Sequence, residues 1–257
     1  MKHLKAILIL VLIFIGTSCG KTENDIRGSA EMISGEFIQL TRSNGEEFRA
    51  YMAGPADANA GIMIVHDWFG ISDFTKESVE RLGNLGYLTI AVDLYNGSSA
   101  KTHPEAGKLM GTLNRNDTNA ILQSGLDYLK MPNRKIATIG FSMGGLESLN
   151  ANLNDPESVS ATVIIYGGDF DKIALDDLKN LNSPVLTITG SKDSWSLPSS
   201  TNFLTNMEEA GQLAELYVYP GALHAYAQPL FNGGKNYDKE ATRLTWLLIE
   251  DFLKRHL

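Results

Sequence analysis

The chain has 257 residues, 43% hydrophobic and 20% charged, which suits one generous α/β domain with no need of disulfide staples. Its net charge of −8 repels a phosphate backbone and argues against nucleic acid as a partner. There is no His-Glu-x-x-His, no Cys/His cluster and no Gly-rich dinucleotide loop, so the sequence implies neither a metal nor an organic cofactor.

Met1-Lys-His-Leu-Lys5 is basic, and Ala6 to Ile15 is an unbroken run of ten apolar residues. A helix of that length falls well short of a bilayer core of about 30 Å, so residues 1–18 read as a signal peptide and not as a permanent anchor. Cys19, the only cysteine, directly follows Ile15-Gly-Thr-Ser. This stretch resembles a bacterial lipobox, with Gly16 where an aliphatic side chain is usual. The resemblance implies lipidation of Cys19, a lipidated tether over residues 19–35, and membrane anchoring in the bacterial cell envelope. Losing Lys2 and Lys5 with the leader would take the net charge to −10.

Glu36 to Thr41 and Glu46 to Met52 read as strands around Ser43-Asn44-Gly45, an Asn-Gly hairpin signal. Strands follow at Gly61 to Val65, Leu88 to Val92, Ile136 to Ile139, Ala161 to Tyr166, Val185 to Thr189 and Leu216 to Tyr219. Helical spacing falls at Thr75 to Leu85, Thr118 to Leu129, from Gly144 onward (Leu146, Leu149 and Leu153 on one face), Asn202 to Ala210 and Lys239 to Lys254. Asn96 to Asn114 is looser, with room for a short helix over the sheet edge. Strands this continuously apolar, separated by helices, predict an α/β fold: one mostly parallel sheet covered on both faces over residues 36–257.

Between the Ile136 strand and its helix lies Gly140-Phe-Ser142-Met-Gly144, a G-x-S-x-G. A nucleophile on so tight a turn holds strained backbone angles and leaves no room for side chains two residues away on either side. The turn would lift Ser142 above the sheet and leave the Met143 amide at a helix N-terminus, aimed at an oxyanion. A serine hydroxyl needs a base. In α/β-hydrolases the chain order is Ser, acid, His, which leaves His224 and His256. His224 follows a strand in Tyr219-Pro-Gly-Ala-Leu and is preferred; His256 sits at a helix end near the C-terminus. Asp193, in Thr189-Gly-Ser-Lys-Asp193 just past a strand, is the preferred acid, with Asp169 and Asp171 as runners-up.

Gly140-Phe-Ser-Met-Gly-Gly145, Thr189-Gly-Ser-Lys-Asp193 and Tyr219-Pro-Gly-Ala-Leu-His-Ala-Tyr226 stand with Ile64-Val-His-Asp67-Trp-Phe-Gly70 and Val92-Asp-Leu-Tyr-Asn-Gly97. Together these blocks resemble the dienelactone hydrolase family of α/β-hydrolases, in the family's order over about residues 36 to 256. The resemblance implies an α/β-hydrolase fold and a Ser142–Asp193–His224 triad. It also implies an oxyanion hole from the backbone of Met143 and Trp68, and a small ester or lactone as substrate. The chain departs from the prototype in carrying serine in place of cysteine and Asp67 where a glutamate pairs with the thiol. Ala225-Tyr-Ala-Gln-Pro, directly after His224, offers no arginine to hold a substrate carboxylate. Asp67, Phe69, Tyr95, Phe141 and Tyr226 are the expected pocket residues, Phe69 and Phe141 joining Trp68 and Met143 in apolar walls. Two alternatives stay open: a prolyl-oligopeptidase-like peptidase, and a non-catalytic surface binding lipoprotein on a hydrolase scaffold.

Overall fold

A computed structural model describes residues 33–229 and 231–257. The signal segment, Cys19 and most of the tether lie outside the described residues. Eight strands form one sheet: β1 (Glu36–Thr41), β2 (Glu47–Ala53), β3 (Ala60–Val65), β4 (Leu88–Val92), β5 (Lys135–Phe141), β6 (Val159–Ile165), β7 (Val185–Gly190) and β8 (Ala214–Tyr219). Their order is β1-β2-β4-β3-β5-β6-β7-β8. The β1–β2 hairpin pairs Thr41 with Glu47, and Gly45 takes a positive φ of 86° in the turn, the left-handed conformation for which Asn-Gly is suited. β2 meets β4 antiparallel, and every pairing from β4 to β8 is parallel.

The strands at the centre are buried on both faces, and their side chains alternate between two cores. Ile62 and Ile64 pack with Val79 and Leu82 of α1 (Asp73–Asn84) and with Ile249 and Phe252 of α7 (Lys239–His256). Met63 and Val65, on the opposite face, pack with Ile121, Leu122, Leu126 and Leu129 of α3 (Arg115–Leu129). Further along that face, Ile164 packs with Leu149 of α4 (Met143–Asn154), Leu178 of α5 (Leu175–Leu178), and Phe203 and Met207 of α6 (Ser196–Glu209). The expected mostly parallel sheet with helices on both faces is the one observed. Among the described residues no helix is long and apolar enough to cross a membrane.

Two helices shape the site: one is the short helix for which Asn96–Asn114 left room, and the other starts earlier than expected. The loose Asn96–Asn114 stretch contains α2 (His103–Met110), started by Pro104 and by a reciprocal cap between Thr102 and Glu105. α6 begins six residues before the expected Asn202. Pro198 fits a first helical turn, and the Asp193 carboxylate accepts from the amides of Trp195 (3.1 Å) and Ser196 (2.9 Å) at the helix entry.

Candidate active site

β5 ends at Phe141 and α4 begins at Met143, so Ser142 alone makes the turn, at φ 54° and ψ −117°. A positive φ at a non-glycine residue costs on the order of 1–3 kcal/mol and persists only where its surroundings hold it. Here the Ser142 amide donates to the Ile165 carbonyl at 2.9 Å, tying the turn to the end of β6. The flanking glycines are required by space. A Cβ on Gly140 would collide with the Gly144 carbonyl, and one on Gly144 with the carbonyl of Val65. The first turn of α4 therefore lies directly against the end of β3, where His66, Asp67 and Trp68 follow.

The loops after β7 and β8 are stitched together. Lys192 N–H donates to the Ala222 carbonyl (2.9 Å), and Gly221 N–H to Ser191 Oγ (2.8 Å). Asn236 Nδ2 donates to the His224 carbonyl at 2.7 Å. His224 Nδ1 consequently meets Asp193 Oδ2 at 2.7 Å, and its Nε2 meets Ser142 Oγ at 2.9 Å. Asp193 divides its oxygens between His224 and the entry of α6, and its side chain is almost wholly buried. Both oxygens of the buried carboxyl group thus have hydrogen-bond partners, as burial demands. Asp169, a runner-up acid, is held instead by Lys172 Nζ (2.7 Å) and Trp195 Nε1 (3.1 Å). Trp195 lies edge-on to the His224 ring with centroids 5.3 Å apart. His256 packs on Phe252 at the end of α7.

Above Ser142 opens a cavity of about 540 Å³. Trp68, His103 and Phe231 form an aromatic wall, with His103 centred 5.3 Å from Trp68 and 5.0 Å from Phe231. Met110, Met143, Leu146 and Leu223 add apolar surface, while Glu147, Asp169, Lys192 and Asn236 are the polar lining beside the triad. Glu147 is neutralised from behind by Arg115, whose Nη2 meets Oε1 at 2.9 Å in a two-pronged pair.

The five expected pocket residues do not line this cavity, and each has a packing reason. Phe141, the last residue of β5, faces the core against Phe74 and Trp246. Tyr226 is fully buried, its hydroxyl bonded to Thr245 Oγ1 at 2.6 Å. Tyr95 packs beneath Met143, with its hydroxyl 3.4 Å from the sulfur. Phe69 stands behind the aromatic wall, against His103 and Phe231. Asp67 is buried: Oδ1 accepts from Phe69 N–H (2.8 Å) and Oδ2 faces Gln228 Nε2 (3.5 Å). Burial pushes its carboxyl up to about 6, against the lowering effect of the Phe69 amide. The lining residues missed by sequence reading come from α2, the first turn of α4, the loops after β6, β7 and β8, and the segment around Phe231. Leu146 and Glu147, one turn past Ser142, and Lys192 and Leu223, adjoining Asp193 and His224, carried a local signal.

A strained serine between a parallel strand and a helix, with a carboxylate and a histidine delivered from later strand ends, defines an α/β-hydrolase. A family model described as "Dienelactone hydrolase family" matches residues 48–257. The chain belongs to the dienelactone hydrolase family. It is 27% identical over 234 residues to protein usf of Aquifex pyrophilus, covering 87% of this chain and 99% of that protein. It is 24% identical to a carboxymethylenebutenolidase of Pseudomonas putida, covering 77% and 88%. Among solved structures, a dienelactone hydrolase-like promiscuous phosphotriesterase from metagenomic libraries superposes with a TM-score of 0.73 at 20% identity, covering 87% and 99%.

Proposed function

We propose that this protein hydrolyses small, neutral, largely apolar carboxylic esters or lactones through an acyl-serine intermediate. The observation that carries the reading is the unbroken hydrogen-bonded chain Asp193–His224–Ser142, at 2.7 and 2.9 Å, opening into a cavity. Ser142 Oγ attacks the carbonyl carbon as His224 Nε2 takes its proton, and Asp193 holds the Nδ1–H and stabilises the imidazolium. The amides of Met143 and Trp68 receive the developing oxyanion, Met143 being the first residue of α4, where an amide has no intrahelical acceptor. His224 returns its proton to the leaving alkoxide. Water, activated by the same ring, then releases the acid and restores Ser142.

Serine changes the chemistry relative to a cysteine nucleophile. A thiol can wait as a thiolate; Ser142 is activated only as His224 accepts its proton. A buried, hydrogen-bonded Asp67 fits a brace for the loop. The leader and Cys19 support a lipid-anchored enzyme of the cell envelope.

The soluble chain from Gly20 should be labelled by a fluorophosphonate probe and should hydrolyse p-nitrophenyl acetate. Ser142→Ala should lose labelling, and Ser142→Ala and His224→Ala should each lower kcat by about 10³-fold or more. Activity retained in Ser142→Ala refutes the mechanism.

A further inference from the structure

His66 is fully buried between the ends of β3 and β4, and the mechanism above makes no use of it. Leu94 N–H donates to its Nε2 at 3.1 Å. A ring nitrogen that accepts an amide proton carries none of its own, so the proton of the neutral ring sits on Nδ1. Burial, which lowers the basicity of this imidazole, keeps it in that neutral form. Nδ1–H in turn lies 2.6 Å from the carbonyl oxygen of Asp67, which also accepts from Gly70 N–H at 3.2 Å. Tyr95 closes the ring from one side, with centroids 4.9 Å apart.

The acceptor matters because of the peptide to which it belongs. Asp67 C=O and Trp68 N–H are the two ends of one planar trans amide and point in opposite directions. Fixing the oxygen on one side fixes the hydrogen on the other. Trp68 lines the cavity beside Ser142. A hydrogen bond to the carbonyl also polarises the amide and strengthens its N–H as a donor.

We propose that His66 is the positioning residue of the oxyanion hole: its Nδ1–H holds the Asp67–Trp68 peptide so that Trp68 N–H faces the reacting carbonyl oxygen. The assignment rests on the serine-hydrolase reading above. It predicts that the Nδ1 bond serves the transition state, while the Nε2 bond joins the β3 and β4 loops.

Two substitutions divide these bonds. His66→Asn places an amide N–H where Nδ1 stood and gives up the acceptor for Leu94. His66→Gln reaches the Nε2 position, keeps an acceptor for Leu94, and leaves the Asp67 carbonyl with Gly70 alone. Both are assayed in the soluble chain from Gly20 with p-nitrophenyl acetate, measuring kcat, KM and Tm beside wild type and Ser142→Ala. His66→Gln should lose about 10- to 100-fold in kcat at unchanged KM, a part of the 10²–10³ that removal of an oxyanion donor costs. His66→Asn should stay within about threefold of the wild-type kcat even where its Tm falls further. A kcat for His66→Gln equal to wild type overturns the assignment, as does a kcat that simply follows Tm across the pair. Should His66→Gln fail to fold, His66→Asn decides alone: near-native kcat supports the clamp, and a tenfold loss at native KM and Tm removes it. An active Ser142→Ala would overturn the serine mechanism and this inference together, whereas an inactive Ser142→Ala beside an unaffected His66→Gln removes only the clamp.

Discussion

Asp67→Asn tests how the buried carboxyl just past β3 is held. In the folded protein burial raises this group from an ordinary 3.8 to about 6. Each whole step in pKa is worth about 1.4 kcal/mol, so ionising Asp67 in place of protonating it costs the fold about 3 kcal/mol. The sign follows from proton counting. Below pH 3.8 the carboxyl is protonated in both states and costs nothing. Between 3.8 and about 6 the native state binds more protons than the unfolded state, so stability declines as pH rises. Above about 6 the full cost is present. Asparagine carries no charge and can keep the bond from Phe69 N–H. Its stability relative to wild type, from urea unfolding at pH 4 and pH 7.5, should therefore improve by about 2 to 3 kcal/mol between the two. Ester hydrolysis at pH 7.5 should remain within about threefold, because the carboxyl does not line the cavity. A stability difference that is the same at both pH values refutes the burial argument, and a 10³-fold loss of kcat in a folded variant refutes the bracing role.

Gly144→Ala should destabilise by about 3 kcal/mol or more, or fail to fold, because its methyl meets the Val65 backbone and not a movable side chain; a native urea midpoint would contradict this. A neutral ester should be preferred over its carboxylate-bearing analogue by about tenfold in kcat/KM. Among the described residues, Glu147, Asp169 and Asp193 line the cavity with Lys192 as its one lysine or arginine, and Arg115 is committed to Glu147. Preference for the anion, abolished by Lys192→Ala, would reverse that reading. Cys19→Ser should stop incorporation of fatty-acid analogues and release the protein from membranes; firm retention would point to an uncleaved leader.

What the sequence made legible was local or ordered along the chain. The elbow is a five-residue pattern, of which Gly140 answers to Gly144 within the same strand–turn–helix unit and Gly144 to the end of β3, and the strands announce themselves by continuous apolar runs. His224 and Asp193 could be ranked because each directly follows a strand. The cavity walls were not legible. Phe141 adjoins Ser142 in sequence yet faces the opposite core, because successive residues at a strand end alternate in direction. Tyr226 lies two residues past His224 and points to Thr245 on α7, a partner set by tertiary packing. The aromatic wall joins Trp68, His103 and Phe231 from three separate segments, and no periodicity links them.

On the proposed mechanism, the order of Ser142, Asp193 and His224 along the chain has a consequence for biogenesis. Ser142 is supplied by β5, but Asp193 and His224 arrive with β7 and β8, at the far edge of the sheet. A chain folding from its N-terminus can complete the hairpin, the central strands and the elbow while the nucleophile still has no base. It becomes a catalyst, on the proposed mechanism, only when the last strand docks and delivers His224. On that mechanism a chain that stops before β8 lacks His224 and leaves Ser142 without a base.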